Sequence, residues 1–139
     1  MGTRSLTIIT DGTKEIAVMY RQHDGYPDGH GAELARFLDG MRIVNGLGPD
    51  DCDKVANGAA CLAAQIVGAF KTGPGNLYLY PAGTRDVWED YTYSVIAIAP
   101  RNGAPGSLAV RVESDGKDLF SGDVASFQTW CSTPPTDDD

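Results

Sequence analysis

The chain is short of basic residues, cysteine and histidine, and it has no long apolar run. Lys and Arg number 11 of 139 residues against 19 Asp and Glu, a formal charge of −8. A nucleic-acid polymer needs concentrated Lys and Arg to neutralise its phosphates, so DNA and RNA are not expected partners. The acids come in short groups, "PDDCD" at 49–53, "WED" at 88–90 and "DDD" at 137–139, rather than along one face. Solubility is their ordinary role, and mimicry of DNA is not favoured. Three cysteines, Cys52, Cys61 and Cys131, are odd in number and far apart. That pattern signals neither a disulfide framework nor a zinc site. Cys61 lies in an apolar helical run and is expected in the core. No apolar run is long enough for a membrane span and no secretory leader pattern opens the sequence, so no membrane partner and a cytoplasmic location are expected.

What is present reads as one globular domain, residues 1–131, followed by a disordered acidic tail, 132–139. "SLTIIT-DG-TKEIAVMY" gives two strands around Asp11-Gly12, a pair suited to a type I′ turn. "GAELARFLDGMR" reads as a short helix with Leu34, Phe37, Leu38 and Met41 on one face. A second helix, about 53–71, is small-residued nearly all round and is expected to lie buried against a sheet. Strands follow at "NLYLYPAG" and "YTYSVIAIAP", then a second hairpin around Asp115-Gly116. The order β-β-α-α-β-β-β-β predicts an α+β fold: a mostly antiparallel sheet of five to six strands with two helices on one face.

Two segments concentrate chemistry. "YRQHDGYPDGHG", Tyr20–Gly31, holds both histidines of the chain. A strand-to-helix connection needs its glycines and proline but not also Arg21, His23, Asp24, Tyr26 and His30. Either the segment is a corner satisfied by its own hydrogen bonds, or it is the wall of a site. His23, Asp24, Asp28 and His30 include metal-ligand types, but their spacing matches no ligand pattern, so neither metal nor cofactor is expected. No Ser or Cys sits in a nucleophile-elbow context. The second segment, "PAGTRDVWEDYTY" at 81–93, carries Arg85, Trp88, Glu89 and Tyr91. Arginine pairs with phosphate and aromatic faces stack on bases, so the two segments together would suit a small nucleotide-like ligand. Asn45 and Asn57 are read as caps, and Arg4 as a framework residue, paired to Asp24 or Glu33 if buried.

"MGTRSLT", "YRQHDGYPDGHGAEL", "VNG" and "LYLYPAGTRDVWEDYTY" resemble a family of small, mostly uncharacterised proteins of bacteriophages, prophages and bacterial genomes. The resemblance covers about residues 1–95 and brings no settled activity. It implies a setting, the cytoplasm of a bacterial host, where compact phage proteins counter defence by sequestering a nucleotide messenger or blocking a defence protein.

Three functions follow. The first is non-catalytic capture of a nucleotide-derived molecule by Arg21, His23, Asp24, Tyr26, His30, Arg85, Trp88, Glu89 and Tyr91, with a closed pocket at a homodimer interface as one arrangement. The second is an enzyme on the same ligand class, using His23 or His30 with Glu89 or Asp90 as acid and base. The third is a protein–protein inhibitor using the acidic surface and exposed aromatics such as Trp88 and Trp130.

Overall fold

A computed structural model describes residues 2–49 and 54–133. The chain opens with strands β1 (Ser5–Thr10) and β2 (Glu15–Arg21), then a single π-helical turn, Pro27–Gly31, that runs into helix α1 (Ala32–Leu38). Short strands β3 (Arg42–Val44) and β4 (Val55–Asn57) precede helix α2 (Gly58–Phe70). Strands β5 (Leu77–Tyr80), β6 (Tyr91–Ile98), β7 (Ser107–Ser114) and β8 (Lys117–Asp123) lead to helix α3 (Val124–Ser132). Six strands make one sheet in the order β5-β2-β1-β6-β7-β8, and β3 and β4 pair apart from it. Every neighbour in the large sheet is antiparallel except β1 and β6, which run parallel with Ser5 opposite Tyr91. This is the expected α+β fold dominated by an antiparallel sheet.

Alternation along the strands separates two faces. Ile9, Met19, Tyr93, Val95, Val110 and Val112 share one core with Leu34 and Leu38 of α1, Leu62 and Ile66 of α2, and Phe127 of α3. Leu34, Leu38, Leu62, Ile66 and Phe127 are fully buried, which stabilises the fold by about 1.5–3 kcal/mol for each side chain. On the opposite face Leu6, Ile8, Val18 and Tyr20 form a smaller cluster, covered by Tyr80 and by Val87 of the segment between β5 and β6. Among the described residues no helix is long and apolar enough to cross a membrane.

Four local expectations are corrected. The first hairpin turns over four residues, because the Asp11 carboxylate accepts from the N–H of Thr13 and Lys14 at 2.8 and 2.9 Å. Those bonds hold its pKa down to about 2 and fix the turn by side chain instead of by a left-handed Asp. At the second hairpin Asp115 and Gly116 do take φ of 53° and 77°, as a type I′ turn requires. The second helix starts at Gly58 because Val55–Asn57 pairs with Arg42–Val44. Its buried stripe is Ala59, Leu62, Ala63 and Ile66, so it is amphipathic in burial, with Ala60, Ala64 and Gly68 exposed. Cys61 is only partly buried on it, while Cys131 is the sealed thiol.

The third helix was not anticipated. Asp123 accepts from Ser126 N–H at 2.8 Å as its N-cap, and Phe127 and Cys131, one turn apart, face the core. Ser132 therefore belongs to a helix and not to a tail. Residues 134–139 and Cys52 lie outside the described residues.

Candidate functional site

The corner Tyr20–Gly31 is assembled around a buried arginine. β2 ends on Arg21, which is only 8% exposed. Its Nε donates to the His23 carbonyl at 2.6 Å, and Nη1 and Nη2 form a fork onto Glu33 Oε1 and Oε2 at 3.1 and 3.4 Å. Nη1 also lies 3.1 Å from His30 Nδ1. A guanidinium can only donate, so Nδ1 accepts and His30 carries its proton on Nε2. That proton is donated to Thr7 Oγ1 at 2.7 Å. Burial, helped by the neighbouring Arg21 charge, pushes the His30 pKa down to about 3. His30 is therefore a neutral imidazole with both nitrogens committed, and it has no free lone pair to act as a general base.

The glycines of this corner permit close approach. A Cβ on Gly25 would meet the Arg4 carbonyl carbon and Ser5 nitrogen at 2.9 Å, and one on Gly31 would meet Cys131 Sγ at 2.9 Å. The Gly25 carbonyl accepts from the Tyr93 hydroxyl at 2.7 Å; burial raises that phenol's pKa, so it remains a donor. His23, Asp24 and Tyr26 face solvent, with the Tyr26 hydroxyl donating to Asp24 Oδ1 at 3.2 Å. Glu33 pairs with Arg21, not with Arg4. The backbone of Arg4 instead exchanges bonds with Asp90, giving its N–H to Oδ2 at 3.0 Å and taking the Asp90 N–H at 2.8 Å.

Residues 81–90 run from the edge strand β5 across β2 and β1 to β6, and they do so over the face that carries no helices. Val87 is the plug over Leu6, Ile8, Val18 and Tyr20. The segment is tied down at both ends. Arg85 forks onto Glu15 at the start of β2, and that guanidinium holds the Glu15 carboxyl below its usual range. Glu89 folds back to accept from the Asp86 and Val87 N–H groups at 3.1 and 2.8 Å. Between these anchors Asp86 and Trp88 take φ of 59° and 68°, a region that a bulky side chain rarely enters. Trp88 is 84% exposed. It stands over a cleft of about 630 Å³ whose walls also carry Asp86, Glu89, Asp90, Glu113 and Asp115.

The structure thus divides the expected set. Arg21 and His30 belong to the helix-bearing side of the sheet, and Arg85, Trp88 and Glu89 to the other. Tyr91, partly buried, packs near Tyr93 at a ring distance of 6.4 Å and does not join the two groups. Of the 81–93 segment, Tyr93 does reach the corner, bonding the Gly25 carbonyl and packing edge-on at 5.2 Å from the His30 ring, while residues 81–90 with Arg85, Trp88 and Glu89 cross the opposite face of the sheet. Asn57, at the end of β4 and the start of α2, makes no side-chain cap bond to the helix; its Oδ1 accepts from Gly46 N–H at 2.7 Å and so ties down the loop after β3.

Glu113 and Asp115, which line the cleft, were legible only as strand and turn residues. Trp130 is partly buried, stacked on Phe120 at 5.5 Å, which leaves Trp88 as the exposed indole among the described residues. No cluster of three or more His, Cys, Asp or Glu among the described residues is placed to hold a metal ion. No protein-family model, curated protein or solved structure matches this chain.

Proposed function

We propose that the protein acts by binding and not by catalysis, and that the cleft under Trp88 receives a basic segment of another protein. The observation that carries this reading is Trp88 itself. It is 84% exposed at a left-handed φ of 68°, in a loop whose Arg85 and Glu89 are bonded inward. A bulky residue in that region costs about 1–2 kcal/mol, and burial on a partner would offset it. Tryptophan and arginine are the commonest interface anchors, and an arginine or lysine over an indole face adds a cation–π attraction of about 0.5–2 kcal/mol. Five carboxylates against one guanidinium line the cleft, so a cationic segment is drawn to it. The setting we propose is the one the phage resemblance implies: a counter-defence protein blocking a host factor in the bacterial cytoplasm.

A nucleotide-derived ligand is the second reading, favoured by Arg85 and Trp88 sharing the cleft. Electrostatics weigh against its phosphates. At roughly 7 Å each unit pair costs about 0.6 kcal/mol in water and about half that at physiological salt. A phosphate dianion facing an excess of four carboxylates therefore loses on the order of 2 kcal/mol, about thirtyfold in affinity.

Titration of the Trp88 indole N–H by NMR separates the two. An Arg- and Lys-containing peptide should shift it, with affinity falling as salt rises, and Trp88→Ala should abolish binding. Adenosine monophosphate shifting the indole while the peptide leaves it unmoved would reverse the assignment. An indole unmoved by both would remove the cleft as a site.

A further inference from the structure

Strand β5 is an edge of the large sheet, and it carries no charged residue. Just before it, the Gln22 N–H donates to the Asn76 carbonyl at 2.8 Å. Bonded residues alternate along an antiparallel pair, so Tyr78 and Tyr80 also turn their backbone groups to β2. Leu77 and Leu79 point theirs away from the sheet. Most of that outer row is closed within the chain. The Leu77 N–H goes to the Gly75 carbonyl at 2.7 Å, and the Leu77 carbonyl accepts from Lys71 Nζ at 2.7 Å. Pro81, next in the row, has no N–H, and its carbonyl accepts from the Thr84 N–H and hydroxyl at 3.2 and 2.7 Å. The Leu79 N–H and carbonyl have no partner among the described residues, and Leu79 is 61% exposed.

One donor and one acceptor on a single residue, open on an antiparallel edge, are complementary to themselves. A two-fold axis beside Leu79 pairs it with Leu79 of a second copy through two N–H···O=C bonds, an isologous contact. A register shifted by two residues would set Leu79 against Pro81, which has no donor, or against Leu77, whose groups are taken. In the unshifted register Tyr78 stands across from Tyr80 of the second copy, an aromatic cross-strand pair. On the helix-bearing side the two leucines meet beside an apolar cavity of about 160 Å³ lined by Met19, Val67 and Leu77. The chain's charge of −8 opposes self-association except at a neutral contact such as this one. The other edge, β8, carries Lys117, Asp118 and Asp123 and is bulged against β7, devices that blunt an edge. We propose that β5 is a homodimer contact, in which two copies join their sheets edge to edge at Leu79. A pairing of Tyr78–Tyr80 alone is too short to bury the roughly 1,200 Å² of a stable complex, so the dimer is weak and concentration-dependent. The contact shares no residue with the Trp88 cleft and does not depend on that reading.

Sedimentation equilibrium on the full chain, from low micromolar to about 1 mM, tests the pairing. The average mass should climb toward that of two chains and stop there. Amide exchange followed by NMR over the same range should slow at Leu79 as the dimer fills. It should stay constant at Leu77, whose N–H is already bonded. Leu79→Lys puts a charge on the edge and should weaken association at least about tenfold. Leu79→Pro should do the same by removing the donor, and the ladder to β2 does not use that N–H. Both variants should keep the far-UV spectrum, since Leu79 is largely exposed. A chain still monomeric at the highest concentration, masses that grow past two copies, Leu79 exchange independent of concentration, or undiminished association in both variants would each overturn the assignment.

Discussion

Replacing Trp88 by glycine should make the protein more stable, although it removes the largest exposed side chain. Trp88 sits at φ 68° with 84% of its surface in water, so little burial is lost with the indole. Relief of the left-handed backbone returns about 1–2 kcal/mol. The extra freedom of glycine in the unfolded chain takes back about 0.4–1 kcal/mol. The net expectation is a gain of about 0.5–1 kcal/mol. For a chain of 139 residues the entropy of unfolding is about 0.3 kcal/mol per degree, so Tm should rise by about 2–3 °C. Trp88→Ala keeps the strained backbone and should stay within about 0.5 kcal/mol of the parent. Paired thermal and urea melts of the three proteins decide it. A glycine variant that melts several degrees lower would refute the reasoning, because it would mean that the indole packs on this chain and is not held out for a partner.

Other outcomes follow from the buried corner. His30 has a folded-state pKa near 3 against 6.5 in the unfolded chain. The unfolded state therefore takes up the proton first as pH falls. Stability should be constant above pH 6.5, decline by up to about 1.4 kcal/mol per pH unit toward 3, and gain no further slope from this group below that. His30→Gln should flatten that segment of a stability–pH curve measured by urea unfolding; an unchanged slope would place the titration elsewhere. Gly25→Ala drives a Cβ to 2.9 Å from backbone atoms of Arg4 and Ser5 and should cost at least about 1–3 kcal/mol, read as a lower urea midpoint. Phe127→Ala empties a fully buried site and should cost about 3–5 kcal/mol, which would show that α3 is part of the cooperative unit.

Features governed by local chemistry were legible in the sequence. Asp115-Gly116 reads as a type I′ turn because both residues tolerate positive φ, and the chain uses them so. Asp11-Gly12 looks the same in one dimension, yet Thr13 and Lys14 offer their N–H groups to the carboxylate, and a side-chain bond outcompetes the backbone solution. The run ahead of Gly58 reads as helix by apolar content, but Val55–Asn57 finds strand partners in Arg42–Val44. The third helix was missed because only Phe127 and Cys131 mark its buried face, too few for a periodicity, although Asp123 was a capping signal. The parallel pairing of β1 with β6 joins segments more than 80 residues apart, and no local pattern announces it.

That pairing is also why the candidate site divided. Both polar segments end at the same edge of the sheet, Arg21 opposite Ser5 and Tyr91 on its other side. From sequence they look like two halves of one pocket. Yet the chain must travel from β5 at the sheet edge to β6 in its interior, crossing β2 and β1 on one face or the other. The helices hold one face, so residues 81–90 take the other and close it with Val87. Once the faces are assigned, the same residue types acquire opposite roles. Arg21 and His30 turn inward, and all but one of their polar hydrogens are used within the fold. Arg85 and Glu89 are likewise bonded within the chain, but what they hold in place is an indole in water. Clustering of polar residues therefore marks both a satisfied corner and a binding loop, and counting free donors and exposed aromatics tells them apart. By that criterion the Trp88 ring over its acidic cleft is the feature of these two segments left for a partner.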